Sequence, residues 1–351
     1  MQQIIKSKDI TQDLEKAVKN MHHDRLFILV DENTNSLCYP ILDSSETLAK
    51  AQRIVIPAGD THKTLETMAA IWKQLTENGA TRHSLLINLG GGMITDMGGF
   101  AAATFKRGIA CINVPTTLLG AVDAAVGGKT GINFDGYKNE IGAFYSAKLV
   151  FLSSAFFNTL SKTEILSGYA EMIKHSLIHS QTDWDKLLAF SFDAIDYEML
   201  NELSFRSVSI KQRIVEKDPY EKDIRKALNL GHTVSHAFES FAIEKNSPVP
   251  HGYAVAWGLI AELYLSYRLC DFPKEKLQKT VSFVQKHYGA FPVSCDNYET
   301  LYEIMTHDKK NENSAINFTL LSDIGNVKIN QNVEKKMIFE ALDFYRDSVG
   351  L

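Results

Sequence analysis

The chain has 351 residues, a formal net charge of −5 and a hydrophobic content of 45%. This composition is ordinary for a globular protein, and acidic residues outnumber basic ones, so nothing in it points to a nucleic-acid partner. A chain of this length is expected to fold as two domains. Charged residues and glycines interrupt its most apolar stretch, residues 84–127, so we predict no membrane span.

The cysteines bear on the cellular compartment. Four are present, and none forms the C-x-x-C pair that is typical of zinc clusters. Scattered cysteines are typical of reduced thiols, and the amino terminus lacks the apolar core of a secretory signal. We therefore expect a cytoplasmic protein.

The first 150 residues alternate between strand and helix patterns. Short apolar runs predict buried strands, and apolar residues between them recur at helical spacing over about 64–79 and from 92 to about 106. Buried strands that alternate with helices are typical of a parallel, doubly wound sheet. The predicted strands are 25–30, 51–56, 84–89 and 110–115.

From about residue 160 onward the pattern becomes helical. A capping-box spacing at Ser161 and Glu164 opens a helix that we expect to continue to about 180. One hairpin-like pair of strands is predicted at 315–329. We therefore predict an α/β domain over residues 1–158 and a mainly helical domain over 159–351. The other predicted helices are about 182–190, 195–217, 229–243, 252–270, 273–288, 298–306 and 332–348.

Three glycines, Gly90 to Gly92, follow a predicted strand and open a predicted helix. Such a turn lets backbone N–H groups approach a phosphate at the amino terminus of the helix. The spacing departs from the G-x-G-x-x-G dinucleotide fingerprint, because Thr95 replaces the third glycine. A dinucleotide site and a plain tight turn therefore both stay open.

A second glycine-rich segment, residues 115–131, resembles half of a phosphate-binding P-loop. Asp123 stands where that motif requires glycine, so the segment does not predict a nucleoside triphosphatase. Its flexible backbone and hydroxyl groups, together with Asp123 and Lys129, suit a phosphate or a hydroxyl-rich ligand.

Residues 225–236 concentrate polar groups at the start of one predicted helix. His232 and His236 stand four residues apart on one helical face, and Arg225 and Asn229 precede them at a spacing of about one turn. Two histidines at this spacing can bind one metal ion.

Glu171 and His251 are further candidate metal ligands. Glu171 shares a predicted helical face with Lys174 and His175, so it could be a metal ligand, an ion-pair partner of Lys174 or a solvated carboxylate. His175 and His179 are predicted to lie on the surface.

Several cations lie in apolar or glycine-rich surroundings, where a solvated charge is unexpected. We interpret them as candidates for binding an anionic small ligand, with ordinary surface residues as the equal alternative. These cations are Arg107, Lys129, Lys138, Lys174, Lys211 and Arg225.

Seven motifs follow one another along about residues 25–330. They are Gly90–Asp96, Val114–Leu118, Val126–Asn133, Lys138–Phe144, Gly168–Lys174, Asn229–His236 and His251–Gly252. In this order they resemble the 3-dehydroquinate synthase family of sugar phosphate cyclases. The resemblance implies a Rossmann-like, parallel-sheet NAD-binding domain followed by an all-helical, metal-binding carboxy-terminal domain, usually in a homodimer.

The resemblance also implies which residues form the site. One zinc or cobalt ion would be held by Glu171, His232 and His251, so His236 would face the substrate instead of the metal. The implied NAD contacts are Asp31, Asp60, Lys63, Gly91, Gly92, Asp96, Thr116, Thr117, Lys129, Lys138, Phe156, Thr159 and Leu160. The implied substrate contacts are Arg107, Asp123, Lys129, Asn139, Lys174, Lys211, Glu221, Arg225, Asn229, His236 and Lys310, with Lys309 as the alternative to Lys310.

The implied reaction converts 3-deoxy-D-arabino-heptulosonate 7-phosphate to 3-dehydroquinate and phosphate, in the shikimate pathway of aromatic amino acid biosynthesis. NAD would be reduced and reoxidised around a β-elimination of phosphate, before ring opening and an intramolecular aldol closure, which makes the enzyme a phosphate-eliminating lyase. In this reaction His236 is our candidate proton relay, Arg225 and Asn139 would hold the substrate carboxylate, and Lys129 and Lys174 would lie near the phosphate or metal end.

Three alternatives stay open. Another sugar phosphate cyclase would use a substrate without a carboxylate, which the pair Arg225 and Asn139 disfavours. A metal-dependent polyol or glycerol dehydrogenase would release NADH, and the many cations disfavour a neutral polyol. A non-catalytic NAD-binding protein would have no reason to retain Glu171, His232 and His251 as a ligand set.

Overall fold

The computed structural model describes residues 2–135, 137–306 and 316–350. The chain divides into two compact units. The first consists of Met1–Gly168 with Ile195–Val208, and the second of Tyr169–Ala194 with Ser209–Leu351.

A six-stranded parallel sheet forms the centre of the first unit. The strands of this unit are β1 (Gln3–Lys6), β2 (Leu26–Asp31), β3 (Gln52–Ile56), β4 (Leu85–Gly90), β5 (Ala110–Pro115), β6 (Lys129–Phe134), β7 (Tyr137–Phe144) and β8 (Leu149–Leu152). The order in the sheet is β1-β8-β5-β4-β2-β3, and β6 and β7 form a separate antiparallel hairpin after the fifth strand. The helices are α1 (Ile10–Asn20), α2 (Glu32–Leu37), α3 (Glu46–Ala49), α4 (Leu65–Glu77) and α5 (Gly92–Thr104).

Helices cover both faces of this sheet, which explains why its central strands are apolar throughout. Successive residues of β2 enter different cores: Phe27 packs in the cluster that contains residues of α4 and α5, and Ile28 packs in the cluster that contains residues of α1. Strand β4 is buried along its whole length. Such continuous burial is the pattern expected of a parallel sheet.

A pair of buried amides connects the sheet to the segment that carries Asp123. Asn88 Nδ2 donates to Asn113 Oδ1 at 2.8 Å, and Asn113 Nδ2 donates to Ala125 O at 3.1 Å. Ala125 ends a single π-helical turn, Gly120–Ala124. The buried amides therefore fix the position of this turn against β4 and β5.

The second unit is mainly helical and contains one two-stranded antiparallel sheet. The helices are α6 (Lys162–Leu177), α7 (Gln181–Leu188), α8 (Tyr197–Lys217), α9 (His232–Glu244), α10 (His251–Cys270), α11 (Lys274–Tyr288), α12 (Tyr298–Thr306) and α13 (Lys335–Val349). Helices α6 and α8 each contribute residues to both units. The strands are β9 (Asn317–Asp323) and β10 (Asn326–Asn332). None of the described helices combines the length and the apolar composition of a membrane span.

The predicted fold class is confirmed, with a parallel sheet and helices in the amino-terminal part and a mainly helical carboxy-terminal part. The hairpin of β9 and β10 means that the carboxy-terminal part is not all-helical. The predicted domain limit at residue 158 stays a prediction.

One prediction about the residues before His232 is wrong. Arg225 and Asn229 lie in a short 3₁₀ helix, Ile224–Asn229, and do not share the helical face of His232 and His236. Gly231 separates the two helices with a left-handed backbone, φ +81°. Glycine adopts this conformation without the steric cost that a side chain brings, so the chain changes direction here.

Candidate metal centre and cofactor site

Three candidate metal ligands come together in the second unit. Glu171 lies in α6, whereas His232 and His251 are the first residues of α9 and α10. One ligand atom from each lies within 4.8 Å of the other two. Both Nε2 atoms approach the same oxygen, Glu171 Oε1, at 3.3 Å from His232 and 3.4 Å from His251. The carboxylate is fully buried.

Hydrogen bonds on the far side of each ring set the orientation of the two histidines. His232 Nδ1 donates to Leu230 O at 3.2 Å, and His251 Nδ1 donates to Glu239 Oε2 at 3.1 Å. A carbonyl and a carboxylate can only accept, so each Nδ1 carries the proton. Both Nε2 atoms then face the same point as Glu171 Oε1, so each could direct a lone pair at a metal ion bound there. Histidine ligands of metals are usually held in this way by a hydrogen bond of the other ring nitrogen.

The electrostatics of this group favour a bound cation. Burial disfavours the charged form of Glu171, but Lys174, His232 and His251 hold the pKa of its carboxyl well below the usual value. Neither carboxylate oxygen accepts a hydrogen bond of good geometry within the described residues. Burial lowers the pKa of His251, but Glu239 and Glu171 raise it to about 10. A carboxylate and two imidazoles of this kind fit a divalent ion such as zinc, which in catalytic sites usually has three protein ligands.

Lys174 and His175 surround the other oxygen of Glu171. The Lys174 ammonium contacts Oε2 and is almost fully buried, and His175 Nε2 lies 3.8 Å from the same atom. The prediction that His175 lies on the surface is wrong, because its side chain is completely buried. His179 is partly exposed and bonds to Asp183. Since Lys174 contacts Oε2, Oε1 faces the two histidines.

Several predicted substrate residues lie in one loop of the second unit. Asn229 Nδ2 donates to Glu221 Oε1 at 2.8 Å, and the buried Arg225 donates through Nη1 to Pro219 O at 2.6 Å. Asp218 holds this loop together. Its carboxylate accepts the backbone N–H groups of Lys222 at 3.0 Å, Asp223 at 2.7 Å and Arg225 at 3.1 Å.

The remaining predicted substrate residues of this unit are less closely grouped. The His236 ring lies against that of His232, with ring centroids 5.4 Å apart. Lys211 is buried in α8. Lys309 and Lys310 lie outside the described residues.

In the first unit the buried Lys63 bonds to one residue of the predicted cofactor set and to one of the predicted substrate set. Its ammonium donates to Asp96 Oδ2 at 2.6 Å and to Asn139 Oδ1. Asp96 belongs to the predicted cofactor set and Asn139 to the predicted substrate set. The Asn139 N–H donates to Asn133 Oδ1 at 2.9 Å, and its backbone is left-handed, φ +52°. Nearby, Lys138 Nζ lies 3.7 Å from Asp60 Oδ2 in an exposed pair.

A second group of predicted cofactor residues surrounds the buried thiol of Cys38. Burial raises the pKa of this thiol to about 11, while hydrogen bonds with Thr116 and Thr159 act in the opposite direction and the Asp31 charge raises it further. Asp31 caps the amino terminus of α2. Asp31, Thr116 and Thr159 lie far apart in the sequence, and all three are therefore close to this thiol.

The other predicted residues of the first unit occupy separate places. The chain after β4 meets the chain after β5, where Thr116 N donates to Gly90 O at 3.0 Å and a Cβ atom at Gly91 would lie 3.1 Å from Thr117 Cγ2. The remaining positions are Gly92 at the start of α5, Asp123 in the π-helical turn, Lys129 at the exposed start of β6, Phe156 in the core, Leu160 after a 3₁₀ helix and Arg107 on an exposed left-handed turn.

Comparisons with known proteins agree with this geometry. Residues 53–167 match the family model of the 3-dehydroquinate synthase amino-terminal domain, and residues 168–311 match that of the carboxy-terminal domain. The chain belongs to the 3-dehydroquinate synthase family. A 3-dehydroquinate synthase from Parabacteroides distasonis is 53% identical over 350 residues, which cover 100% of this chain and 99% of that protein.

Solved structures share the fold of this 3-dehydroquinate synthase family member. One is 2-epi-5-epi-valiolone synthase from Streptomyces hygroscopicus subsp. jinggangensis with NAD⁺ and Zn²⁺ bound, at a TM-score of 0.86 and 22% identity, covering 99% of this chain and 96% of that one. Another is 2-deoxy-scyllo-inosose synthase with carbaglucose-6-phosphate, NAD⁺ and Co²⁺, at a TM-score of 0.83 and 23% identity, covering 97% and 95%. At such identities the likeness establishes the fold alone.

Two residues that act on the site were not predicted from the sequence of this family member. Glu239 orients His251, and Asp218 organises the loop of Glu221 and Arg225. Glu239 stands seven residues after His232, on the same side of α9, which is the signal that could have identified it.

A Glu239→Gln variant is expected to bind zinc about tenfold more weakly than the unaltered protein. The amide can still accept from His251 Nδ1, but it lacks the charge that makes the imidazole a stronger ligand, and such changes typically cost about 10–100-fold in affinity. Competition with a chromophoric chelator measures the effect. Glu244→Gln at the exposed end of the same helix is the matched control, and equal zinc affinities of the two variants would contradict a role for Glu239.

Proposed function

We propose that the chain is a 3-dehydroquinate synthase, which converts 3-deoxy-D-arabino-heptulosonate 7-phosphate to 3-dehydroquinate and phosphate in the shikimate pathway. The convergence of Glu171, His232 and His251 on one point carries this proposal. Family membership over the full chain supports it. A non-catalytic protein would not need three converging metal ligands together with the cations of the second unit.

We further propose that NAD and one zinc or cobalt ion are its cofactors. The support comes from the donor set of Glu171, His232 and His251 and from the NAD⁺ with Zn²⁺ or Co²⁺ in the two solved synthases of the same fold. When bound, NAD would take up and return one hydride, and the ion would increase the acidity of the substrate hydroxyl at C5. Residues of this chain would provide binding, orientation and proton transfer.

His236 is our proposed proton relay at the C5 hydroxyl. It follows the ligand His232 by one turn of α9, and their rings are in edge-to-face contact. A histidine beside the ligand set, but outside it, can accept and return a proton while the ligand geometry stays unchanged. Lys174 contacts Glu171, so we place it at the metal end of the substrate.

The substrate carries two anionic ends, and cations of the chain would be their binding partners. In the second unit we assign the buried Arg225 to the carboxylate. In the first unit Asn139 stays a proposed contact of the carboxylate, and Lys129, at the exposed start of β6, stays a proposed contact of the phosphate region. Two hydrogen bonds hold Arg225 in place. Its backbone N–H donates to Asp218 Oδ2, and its Nη1 donates to Pro219 O. A planar guanidinium that is fixed in this way is suited to paired hydrogen bonds with a carboxylate. Arg107, Asp123, Lys211, Glu221 and Asn229 stay proposed substrate contacts.

An Arg225→Lys variant is expected to raise the KM for the heptulosonate phosphate at least about tenfold, because a point charge does not replace two parallel donors. The turnover number is expected to change less. Steady-state kinetics with saturating NAD and metal measure both. Arg268→Lys is the matched control, since Arg268 forms exposed contacts with Tyr264 and Glu340 in the same unit. An unchanged KM would argue against a direct contact of Arg225 with the substrate.

The decisive test of the function uses purified protein with the heptulosonate phosphate, catalytic NAD and zinc or cobalt. Phosphate release that needs metal and leaves no net NADH would support the proposal. NADH that accumulates with a polyol would assign the protein to the dehydrogenases instead. Phosphate release only from a sugar phosphate without a carboxylate would assign it to another cyclase.

The family resemblance also supports a cytoplasmic homodimer. Light scattering coupled to size-exclusion chromatography would give the mass of the particle in solution. A mass of twice 39.3 kDa is expected, and a monomer at working concentrations would overturn the assignment.

A further inference from the structure

A buried carboxylate in the middle of α10 binds the first turn of α9. Glu262 is completely buried, although it lies in an otherwise apolar part of its helix. Its Oε2 accepts the N–H of Gly231 at 2.7 Å, and its Oε1 accepts those of Thr233 at 2.9 Å and Val234 at 3.1 Å. Three backbone donors thus converge on one side chain from a neighbouring helix.

These bonds replace a helix cap that the local sequence cannot provide. The capping position of α9 is Gly231, which has no side chain to accept from the N–H groups that follow it. Serine, threonine, aspartate or asparagine usually supplies this acceptor. Here Glu262 supplies it from α10, and its negative charge also matches the positive end of the α9 dipole.

Close packing one turn earlier in α10 adds a second constraint. A Cβ atom at Gly258 would lie 2.2 Å from Gly231 O and 3.0 Å from Ser235 N. Helix α10 therefore touches the backbone of α9 at its first turn, and there is no space for the start of α9 to move toward α10.

The residue that these contacts enclose is the metal ligand His232. It stands between Gly231 and Thr233, whose N–H groups both donate to Glu262. The other histidine ligand, His251, is the first residue of the helix that contains Glu262. Helix α10 thus carries His251 as its first residue and, through Glu262, fixes the backbone on either side of His232.

We infer that Glu262 is a positioning residue of the metal centre, because its carboxylate holds the first turn of α9 so that His232 faces Glu171 and His251. The inference rests on the proposed metal function of these three residues. Metal affinity and ligand geometry should both depend on a side chain that never contacts the ion.

A Glu262→Gln variant tests this in metal-free protein titrated with Co²⁺ alone, without NAD or substrate. An amide presents one acceptor in place of two, so at least one N–H of the first turn of α9 loses its partner. We expect the Kd for Co²⁺ to rise about 10–100-fold and the visible absorption of bound Co²⁺ to shift in wavelength or intensity.

Ser266→Ala is the matched control. Ser266 is buried one turn further along α10, where its hydroxyl accepts the N–H of Leu321 at 3.0 Å and donates to the backbone carbonyl of Glu262 at 2.8 Å. Its loss therefore disturbs the α10 backbone at Glu262 but leaves the carboxylate and its bonds to the start of α9 in place. This variant should keep the Co²⁺ affinity within about threefold of the unaltered protein, because it changes neither a ligand nor a group that bonds to a ligand or to the first turn of α9. Gly258→Ala provides an independent route if Glu262→Gln does not fold, since it displaces Gly231 and leaves the carboxylate in place.

Unchanged Co²⁺ affinity and spectrum in Glu262→Gln, or an equal loss in Ser266→Ala, would overturn the inference and leave the proposed function intact. The same holds for a folded Gly258→Ala variant that binds Co²⁺ normally. Failure of the unaltered protein to bind Co²⁺ would instead overturn the metal site and the inference together.

Discussion

A Glu171→Gln variant is expected to bind zinc or cobalt about 10²–10⁴-fold more weakly than the unaltered protein and to lose measurable phosphate release. The substitution removes the charge on which His232 and His251 converge, and it leaves the buried Lys174 without its carboxylate partner. Loss of a group that only orients a ligand typically costs about 10–100-fold in metal affinity, so loss of the charged ligand itself is expected to cost more. Metal content after dialysis and a chelator competition would measure it.

Another buried carboxylate of the same unit provides the control for Glu171. Ser180 caps the amino terminus of α7, and the Asp183 carboxylate accepts from the Ser180 hydroxyl at 2.9 Å and bonds to His179 Nδ1 at 3.0 Å. An Asp183→Asn variant should unfold at a lower temperature yet bind metal normally, because it lies outside the ligand set. A Glu171→Gln variant that retains one tightly bound ion per chain would show that the ligand assignment is wrong.

The fold could be predicted where burial is continuous. Strands β2 to β5 are apolar runs between helices, and the structure places them within about one residue of the predicted limits. Strands β1, β6, β7 and β8 were not predicted. β1 and β8 have four residues each, and the hairpin of β6 and β7 mixes polar and apolar residues without the alternation of a half-buried strand.

The candidate metal ligands show what the spacing of residues within one helix cannot predict. His232 and His236 have the separation that suits a shared metal ion, but the structure groups His232 with His251 from the next helix. The packing of α9 on α10 brings His232 and His251 together. The spacing of residues along one helix does not reveal which residue of another helix packs against it. The family resemblance names the three residues that the structure brings together, because it rests on whole motifs.

The residues behind the ligands are hardest to predict, because their partners are backbone groups. Asp218 accepts only main-chain N–H groups in its described hydrogen bonds, and a sequence does not reveal those partners. Glu262 does leave a signal. A carboxylate within an apolar helix segment, Gly258–Leu263, is expected to have a buried partner, since an unpaired buried charge is too costly.

A His236→Ala variant is expected to lower the turnover number about 10²–10³-fold while metal content and the KM for NAD stay nearly unchanged. This range is typical for the loss of a general acid–base group. His236 lies beside His232 but is not one of the three grouped ligands, so its removal should not open the metal centre. Single-turnover phosphate release would show whether the proton-transfer steps are slowed.

Measuring the turnover number and the metal content of the same variant separates the possible roles of His236. His179→Ala serves as the control, because His179 is a partly exposed histidine of the same unit that bonds to Asp183. Full activity of His236→Ala would assign the proton transfer to another group. Parallel loss of metal and turnover would make His236 a ligand, as its spacing from His232 first suggests. Loss of turnover with the metal retained fits only a residue that acts on the substrate, since the ligand set would then still be intact.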